Sequence, residues 1–282
     1  MTTPSTLSVS VAARYLEIDG AMAFVEDSLV GDETVLCLHT AGQNGVQWRH
    51  TTHALAAQGY RVLVPDLPGH GRSEPALNGP IDDLSAYAEW CLRLVEALGC
   101  EVHYVVGCSI GGRITLDIAT RLGKNLRGIV AMAADAGGDP HGHTSWVREL
   151  EDSAAPSRTD RTYYGTFAVI GKSLTADRSE LIATMHRRED PLVSTSDLIG
   201  WGKHDLRARL ANIACPAHLV VGEDDLWLDP TAVEWAADQI PNARYTLLEG
   251  IGHYPMEEID DFPVVLGGWL RELAQAHRSV SR

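Results

Sequence analysis

Apolar positions along this chain follow two alternating patterns. Residues 34–38 and 61–66 are nearly continuous apolar runs, short enough for strands and unbroken enough to be covered on both faces. Further runs of the same kind stand at 101–106, 126–132, 216–222 and 244–248. Between them the spacing becomes helical. Residues 82–98 place Leu84, Tyr87, Trp90, Leu94 and Leu98 on one face, and helical spacing also marks 48–57, 112–119, 230–239 and 262–276. Ahead of these units, residues 12–26 read as a hairpin turning at Asp19-Gly20. Strands alternating with helices predict an α/β fold, a mostly parallel sheet flanked by helices on both faces. From 137 to 211 the strand pattern stops and the spacing is helical and more polar. A stretch of about 75 residues is too long and too patterned for a plain loop. It predicts a helical cap (137–211) between the sixth and seventh strands, with the core formed by 1–136 and 212–282.

The sharpest feature is the end of one strand. Val105-Val106 runs into Gly107-Cys108-Ser109-Ile110-Gly111-Gly112, and helical spacing begins at once. Glycines two positions either side of a serine fit a strand–turn–helix in which any side chain at those places would collide with the turn. The serine is then held strained and exposed beside a helix N-terminus, where the Ile110 amide faces a reacting oxygen. A serine hydroxyl needs a base, and the base needs an orienting acid. His253, in a glycine-rich loop after the last strand, fits the base. Asp225, at the strand end Gly222-Glu223-Asp224-Asp225, fits the acid, with Asp135 and Asp224 as rivals. The loop His39-Thr40-Ala41-Gly42 offers the Ala41 amide as a second oxyanion donor, and His39 is expected to orient that loop. Cys108 stands beside the serine but not at the tip of the turn.

These residues resemble the α/β-hydrolase superfamily over nearly the whole chain outside the cap. Gly107-Cys108-Ser109-Ile110-Gly111-Gly112 is similar to its nucleophile elbow, and Asp66-Leu67-Pro68-Gly69-His70-Gly71-Arg72-Ser73 to its D-x-x-G-x-G-x-S loop. Gly222-Glu223-Asp224-Asp225 resembles its acid loop, and Gly252-His253 its histidine loop. One position departs: Thr40 stands where the family usually has glycine, which narrows the pocket or offers the substrate a hydroxyl. A cap at this place also resembles the carbon–carbon hydrolases of ring-cleavage pathways, the epoxide hydrolases and the haloalkane dehalogenases. The last two use an aspartate nucleophile, so Ser109 argues against both.

The resemblance implies a serine hydrolase that forms an acyl-enzyme on a small or medium substrate, a carboxylic ester or lactone. Cleavage of a ring-cleavage diketone, or of an amide, needs the same three residues and is the alternative. A binding protein that kept the fold and lost turnover is a third reading, against which the intact Ser-Asp-His set counts. The cap aromatics Trp146, Tyr163 and Trp201, with Thr40, are candidates for holding the substrate, and equally for the cap's own core.

Composition narrows the partners. A formal charge of −15 over 282 residues disfavours nucleic acid and anionic membranes. No run reaches the ~18 apolar residues of a membrane helix, and Met1-Thr2-Thr3-Pro4 opens no secretory pattern, so a cytoplasmic location is expected. Five scattered cysteines, an odd number, form no C-x-x-C pair and read as small buried residues. His141-Gly142-His143 lacks the further ligands of a metal site, and Gly42-Gln43-Asn44-Gly45 is no phosphate-binding loop. No cofactor or metal is expected, and self-association as a homo-oligomer is left open.

Overall fold

A computed structural model of the chain describes residues 10–138 and 158–280. Eight strands form one sheet: β1 (Ala12–Ile18), β2 (Ala21–Asp27), β3 (Glu33–Leu38), β4 (Tyr60–Pro65), β5 (Tyr104–Cys108), β6 (Gly128–Met132), β7 (Ala217–Gly222) and β8 (Ala243–Leu248). Their spatial order is β1-β2-β4-β3-β5-β6-β7-β8. The hairpin β1–β2 and the β2–β4 pair are antiparallel, and every other pair is parallel. The chain reverses its direction of travel across the sheet at β3, which lies between β4 and β5. Such a switch point leaves a crevice at the carboxyl ends of the strands. The loop after β3 and the turn after β5 both open there.

The continuous apolar runs are explained by burial on two sides. Leu36, Leu38, Leu63, Val105, Ile129, Ala131, Leu219 and Val221 face one layer, which holds helices α2 (Leu84–Ala97) and α3 (Ile110–Leu122). Val35, Cys37, Val62, Val64, Val106, Val130, Met132 and Val220 face the other, where Trp48, Leu55, Phe262, Leu266 and Leu270 close the core. Asp83 starts α2 by accepting the Ser85 amide at 2.8 Å. The predicted helix at 48–57 is instead a 3-10 turn, Gly45–Trp48, followed by the short α1 (Thr52–Ala56). Two threonines at this point favour the break, and Thr52 Oγ1 donates back to the Trp48 carbonyl at 3.1 Å. The predicted strand at 101–106 begins later, because His103 Nδ1 accepts the Thr34 amide at 3.0 Å where a ladder bond would stand.

Between β6 and β7 the described residues hold three helices, α4 (Arg158–Val169), α5 (Ala176–His186) and α6 (Pro191–Lys203). Helices α7 (Pro230–Asp238), α8 (Pro255–Glu258) and α9 (Phe262–Val280) complete the chain. Asp229 caps α7, accepting the Thr231 amide at 2.9 Å.

The inserted helices return to the core over Asp117 of α3, a fully buried carboxylate. Its Oδ1 accepts from Arg121 Nε at 2.6 Å and Arg209 Nη2 at 3.1 Å, and His204 Nε2 lies 3.1 Å from Oδ2. Burial alone would raise this carboxyl, but hydrogen bonds from His204, Arg121 and Ser85 outweigh it and hold the group well below its ordinary 3.8. A depressed carboxyl stabilises the fold above its unfolded value, and that contribution disappears as the pH falls toward the folded value. Asp117→Asn should therefore cost ~2 kcal/mol at pH 7, between the values for exposed and buried pairs. That is a drop of ~4–8 °C in melting temperature. Thermal melts between pH 7 and pH 2 should show the gap to wild type closing below pH 4.

Candidate active site

Ser109 sits where β5 becomes α3, with φ 57° and ψ −120°. Such geometry costs a non-glycine residue ~1–3 kcal/mol and persists only where its surroundings impose it. They do so through backbone on both sides. The Ser109 amide donates to the Met132 carbonyl at 2.9 Å, and its carbonyl accepts from Arg113 N at 3.0 Å. A Cβ on Gly107 would lie 2.1 Å from the Gly111 carbonyl oxygen, and one on Gly111 2.5 Å from the carbonyl oxygen of Leu38. Bare glycine at both places lets the turn close against the end of β3.

His253 and Asp225 arrive from the loops after β8 and β7. His253 Nδ1 and Asp225 Oδ2 are 2.7 Å apart, both side chains buried. The other carboxylate oxygen accepts the amides of Trp227 at 2.9 Å and Leu228 at 3.3 Å. A carboxylate so placed keeps the proton on Nδ1, which leaves Nε2 as the basic nitrogen. The Trp227 ring stands edge-on to His253, with centroids 4.9 Å apart, and remains 53% exposed, so one side of the imidazole is walled by an aromatic that still reaches solvent. Cys108 Sγ donates to the His253 carbonyl at 3.1 Å and joins the turn to the histidine loop. Burial, with the Asp225 and Glu258 charges, raises the Cys108 thiol well above its ordinary value, so it remains a protonated donor.

The rival acids have other partners. Asp135 Oδ1 takes Arg113 Nε at 3.0 Å and the Gly137 amide at 3.1 Å. Asp224 accepts the Lys172 amide at 2.8 Å, from the inserted segment.

The loop after β3 is fixed atom by atom. His39 Nε2 accepts the Leu67 amide at 3.0 Å, so its Nδ1 carries the proton and donates to the Thr40 carbonyl at 2.9 Å. Burial and the adjacent His70 push His39 down to about 4, in keeping with this neutral tautomer. The Thr40 carbonyl also accepts the Gln43 amide at 3.2 Å. In a trans peptide the N–H opposes the C=O, so these bonds also set the direction of the Ala41 amide. Neither the Ala41 nor the Ile110 amide has an acceptor among the described residues.

The candidate substrate contacts have other partners too. Thr40 is buried, and its hydroxyl donates to Gln47 Oε1 at 3.1 Å. Tyr163 donates its hydroxyl to Glu180 at 2.7 Å and packs edge-on to Tyr164 and Phe167. The Trp201 ring lies 3.3 Å under the Arg113 guanidinium. Aromatic identity alone does not tell a helix's inner face from its outer one. Trp146, His141 and His143 lie outside the described residues. A cavity lined by Gln43, Asn44, Gln47, Met185, His186 and Glu257 opens beside the segment after this loop, and Ser109, Asp225 and His253 are not part of its lining. Among the described residues no group of three or more His, Cys, Asp or Glu side chains could hold a metal ion, and no helix is long and apolar enough to cross a membrane.

Over residues 35–264 the sequence matches the alpha/beta hydrolase family. The chain belongs to that family. The hydrolase is 26% identical over 259 residues to a pimeloyl-[acyl-carrier protein] methyl ester esterase of Nitrosospira multiformis, covering 86% of this chain and 95% of the relative. It is 25% identical over 277 residues to a 2-hydroxy-6-oxononadienedioate/2-hydroxy-6-oxononatrienedioate hydrolase of Dechloromonas aromatica, covering 92% and 95%. Among solved structures, a Thermogutta terrifontis esterase superposes with a TM-score of 0.80 at 22% identity, covering 93% of this chain and 99% of that one. The fold is thus that of the α/β-hydrolases, and the chain is a hydrolase by family.

Two buried helical acids that hold the hydrolase's loops carry no motif in the sequence. Asp197 of α6 accepts the Gly42 amide at 2.8 Å, and Glu258 of α8 takes the amides of Gly252 at 2.6 Å, Tyr254 at 2.9 Å and Gly171 at 2.9 Å. A lone acid among Val193, Ser194 and Gly200, on the buried face of α6, was the available signal for Asp197. Burial raises the Glu258 carboxyl, and the amides of Gly252, Tyr254 and Gly171 bring it down only in part. Removing this acceptor leaves three buried N–H groups unpaired, at ~1–3 kcal/mol each. Glu258→Ala should lower the melting temperature by ~6 °C or more. Hydrogen exchange should quicken at 252–254, and Glu258→Gln, which keeps one acceptor oxygen, should fall between.

Proposed function

We propose that this hydrolase cleaves a small or medium carboxylic ester or lactone through an acyl-enzyme on Ser109. The observation that carries the reading is the buried 2.7 Å contact between His253 Nδ1 and Asp225, in a loop tied to the strained serine turn through Cys108. Ser109 Oγ attacks the carbonyl carbon as His253 Nε2 takes its proton. The tetrahedral oxyanion rests on the amides of Ala41 and Ile110, and its collapse expels the alkoxide, which leaves with the proton from His253. Water, deprotonated by His253, then attacks the acyl carbon, and the acid leaves as Ser109 regains its proton. Asp225 holds the imidazole in the required tautomer throughout. Residues 137–211 act as a cap over this site, on a core of 1–136 and 212–282, with no cofactor required.

Relatives named as methyl ester esterases support ester cleavage. A second reading, hydrolysis of a carbon–carbon bond in a ring-cleavage diketone, is favoured by the several relatives named as 2-hydroxy-6-oxononadienedioate hydrolases. The same Ser109, His253 and Asp225 would serve it, with a stabilised carbanion as the leaving group.

Ser109→Ala should cut hydrolysis of p-nitrophenyl acetate at least ~10⁴-fold with the melting temperature unchanged or raised, and retained activity would remove the assignment. Asp225→Asn should cost ~10³–10⁴-fold, whereas Asp135→Asn, which loses only a brace on Arg113, should stay within ~10-fold. The reverse ranking would transfer the acid's role to Asp135. Methyl esters, lactones and ring-cleavage diketones run side by side on wild type and Ser109→Ala separate the two readings.

A further inference from the structure

Asp197 belongs to α6 in the inserted segment, yet its carboxylate ends at the loop after β3. Three donors converge on it. Gly42 N and His70 Nε2 lie 2.8 Å from Oδ2, and the Tyr87 hydroxyl lies 2.8 Å from Oδ1. Asp197 is fully buried and His70 nearly so. A buried charge needs both hydrogen bonds and a counter-charge. His70 supplies it: its Nδ1 faces only carbonyl oxygens, those of Pro68 at 3.1 Å and Leu67 at 3.3 Å, and must carry a proton. Its Nε2 faces the carboxylate, so both ring nitrogens donate and the ring is an imidazolium.

The contact at Gly42 is forced by close packing as well. Gly42 has φ 67°, and a Cβ there would lie 2.6 Å from Glu189 Oε2 and 2.8 Å from Ser194 Cβ, so the insert rests directly on this residue. Ala41 therefore lies between two anchored peptides. The peptide before it is held at the Thr40 carbonyl by groups of the core, and the one after it at the Gly42 amide by an acid of the insert. A hydrogen bond to a charged acceptor is roughly twice as strong as a neutral one, which makes Asp197 the stiffer of the two anchors.

We propose that Asp197 is a positioning residue of the oxyanion hole: by gripping the Gly42 amide it aims the Ala41 N–H at the carbonyl oxygen of the substrate. This rests on the assignment of Ser109 and Ala41 above. It makes the inserted segment part of the catalytic geometry and not only a cover. Asp197 touches no reacting atom, so its effect falls on the transition state, where the oxyanion forms, more than on substrate binding.

The test compares wild type, Asp197→Ala, Asp197→Asn and Tyr87→Phe with p-nitrophenyl acetate as substrate and phenylboronic acid as the tetrahedral mimic. Losing an oxyanion donor outright costs ~10²–10³-fold, and a misaimed one somewhat less. Asp197→Ala should lower kcat ~30–100-fold with KM within ~3-fold, and weaken phenylboronic acid by a similar factor. Asp197→Asn, whose amide oxygen still accepts from Gly42, should recover most of kcat. Tyr87→Phe removes another partner of Asp197 without touching Gly42, and should lower the melting temperature while leaving kcat within ~3-fold. If Asp197→Ala does not fold, the double variant His70→Gln/Asp197→Ala, which leaves no buried cation behind, should show the same loss of kcat. Unchanged kcat in folded protein lacking Asp197, an Asn variant as impaired as Ala, or an equal loss in Tyr87→Phe would each overturn the proposal. Fluorophosphonate labelling of wild type is scored apart: failure of Ser109 to label overturns the triad reading itself.

Discussion

Backbone meets backbone at the carboxyl ends of β3 and β5, and the rest of the site depends on how closely. The turn at Ser109 can be this tight only because Gly111 presents no side chain to the carbonyls of Leu38 and His39. Register contributes as well: Leu38 pairs with Gly107, so the last residue of β3 lies beside the first glycine of the turn. The loop after β3 therefore starts beside the Ser109 turn, and main chain from two neighbouring strand ends is brought close together. The strain at Ser109 is held by the same neighbours and not by any single strong contact.

Around this junction the protein uses buried carboxylates to fix loops that have no regular structure of their own. Asp66 accepts the amides of Gly45 at 2.7 Å and Arg72 at 2.8 Å, and Asp225 accepts those of Trp227 and Leu228. Glu257 binds Gln47 at 3.0 Å and Arg49 at 2.9 Å and lies 2.6 Å from His186, so the segment after the loop of Ala41 is joined to α5 and α8 together. A loop amide satisfied by a charged acceptor resists displacement better than one satisfied by water, and a site of several loops needs that stiffness.

What the sequence revealed follows from range. The strands were legible because continuous apolar runs mean burial on both faces. The serine turn was legible because its glycines stand two residues either side. The loops of Asp225 and His253 were legible as strand ends in a recognised order. What stayed hidden depends on partners far along the chain: Gly42 and Asp197 are 155 positions apart, and nothing local to α6 says which loop its acid will meet. The aromatics of the insert show the same limit in reverse. By residue type Trp201 and Tyr163 fit substrate walls and cap core equally; that one lies under Arg113 and the other pairs with Glu180 is something composition does not announce. Thr40 departs from the family's usual glycine, and Gln47 accepts both its hydroxyl and its amide, so an internal bond accounts for the substitution.

The segment between β6 and β7 reaches the histidine loop through main chain. The Val169 carbonyl accepts the His253 amide at 2.9 Å, and the Gly250 carbonyl accepts Ser173 N at 3.1 Å. These bonds use no side chains, but the two main chains pass very closely. A Cβ on Gly171 would lie 2.2 Å from the Gly250 carbonyl oxygen and one on Gly252 1.9 Å from that of Val169, so neither the glycines nor the backbone path can change. A relative's insert grafted between these strands would have to reproduce the path of residues 169–173 before its own pocket could matter. Diversification of this hydrolase by exchange of the insert is therefore constrained where residues 169–173 meet the histidine loop.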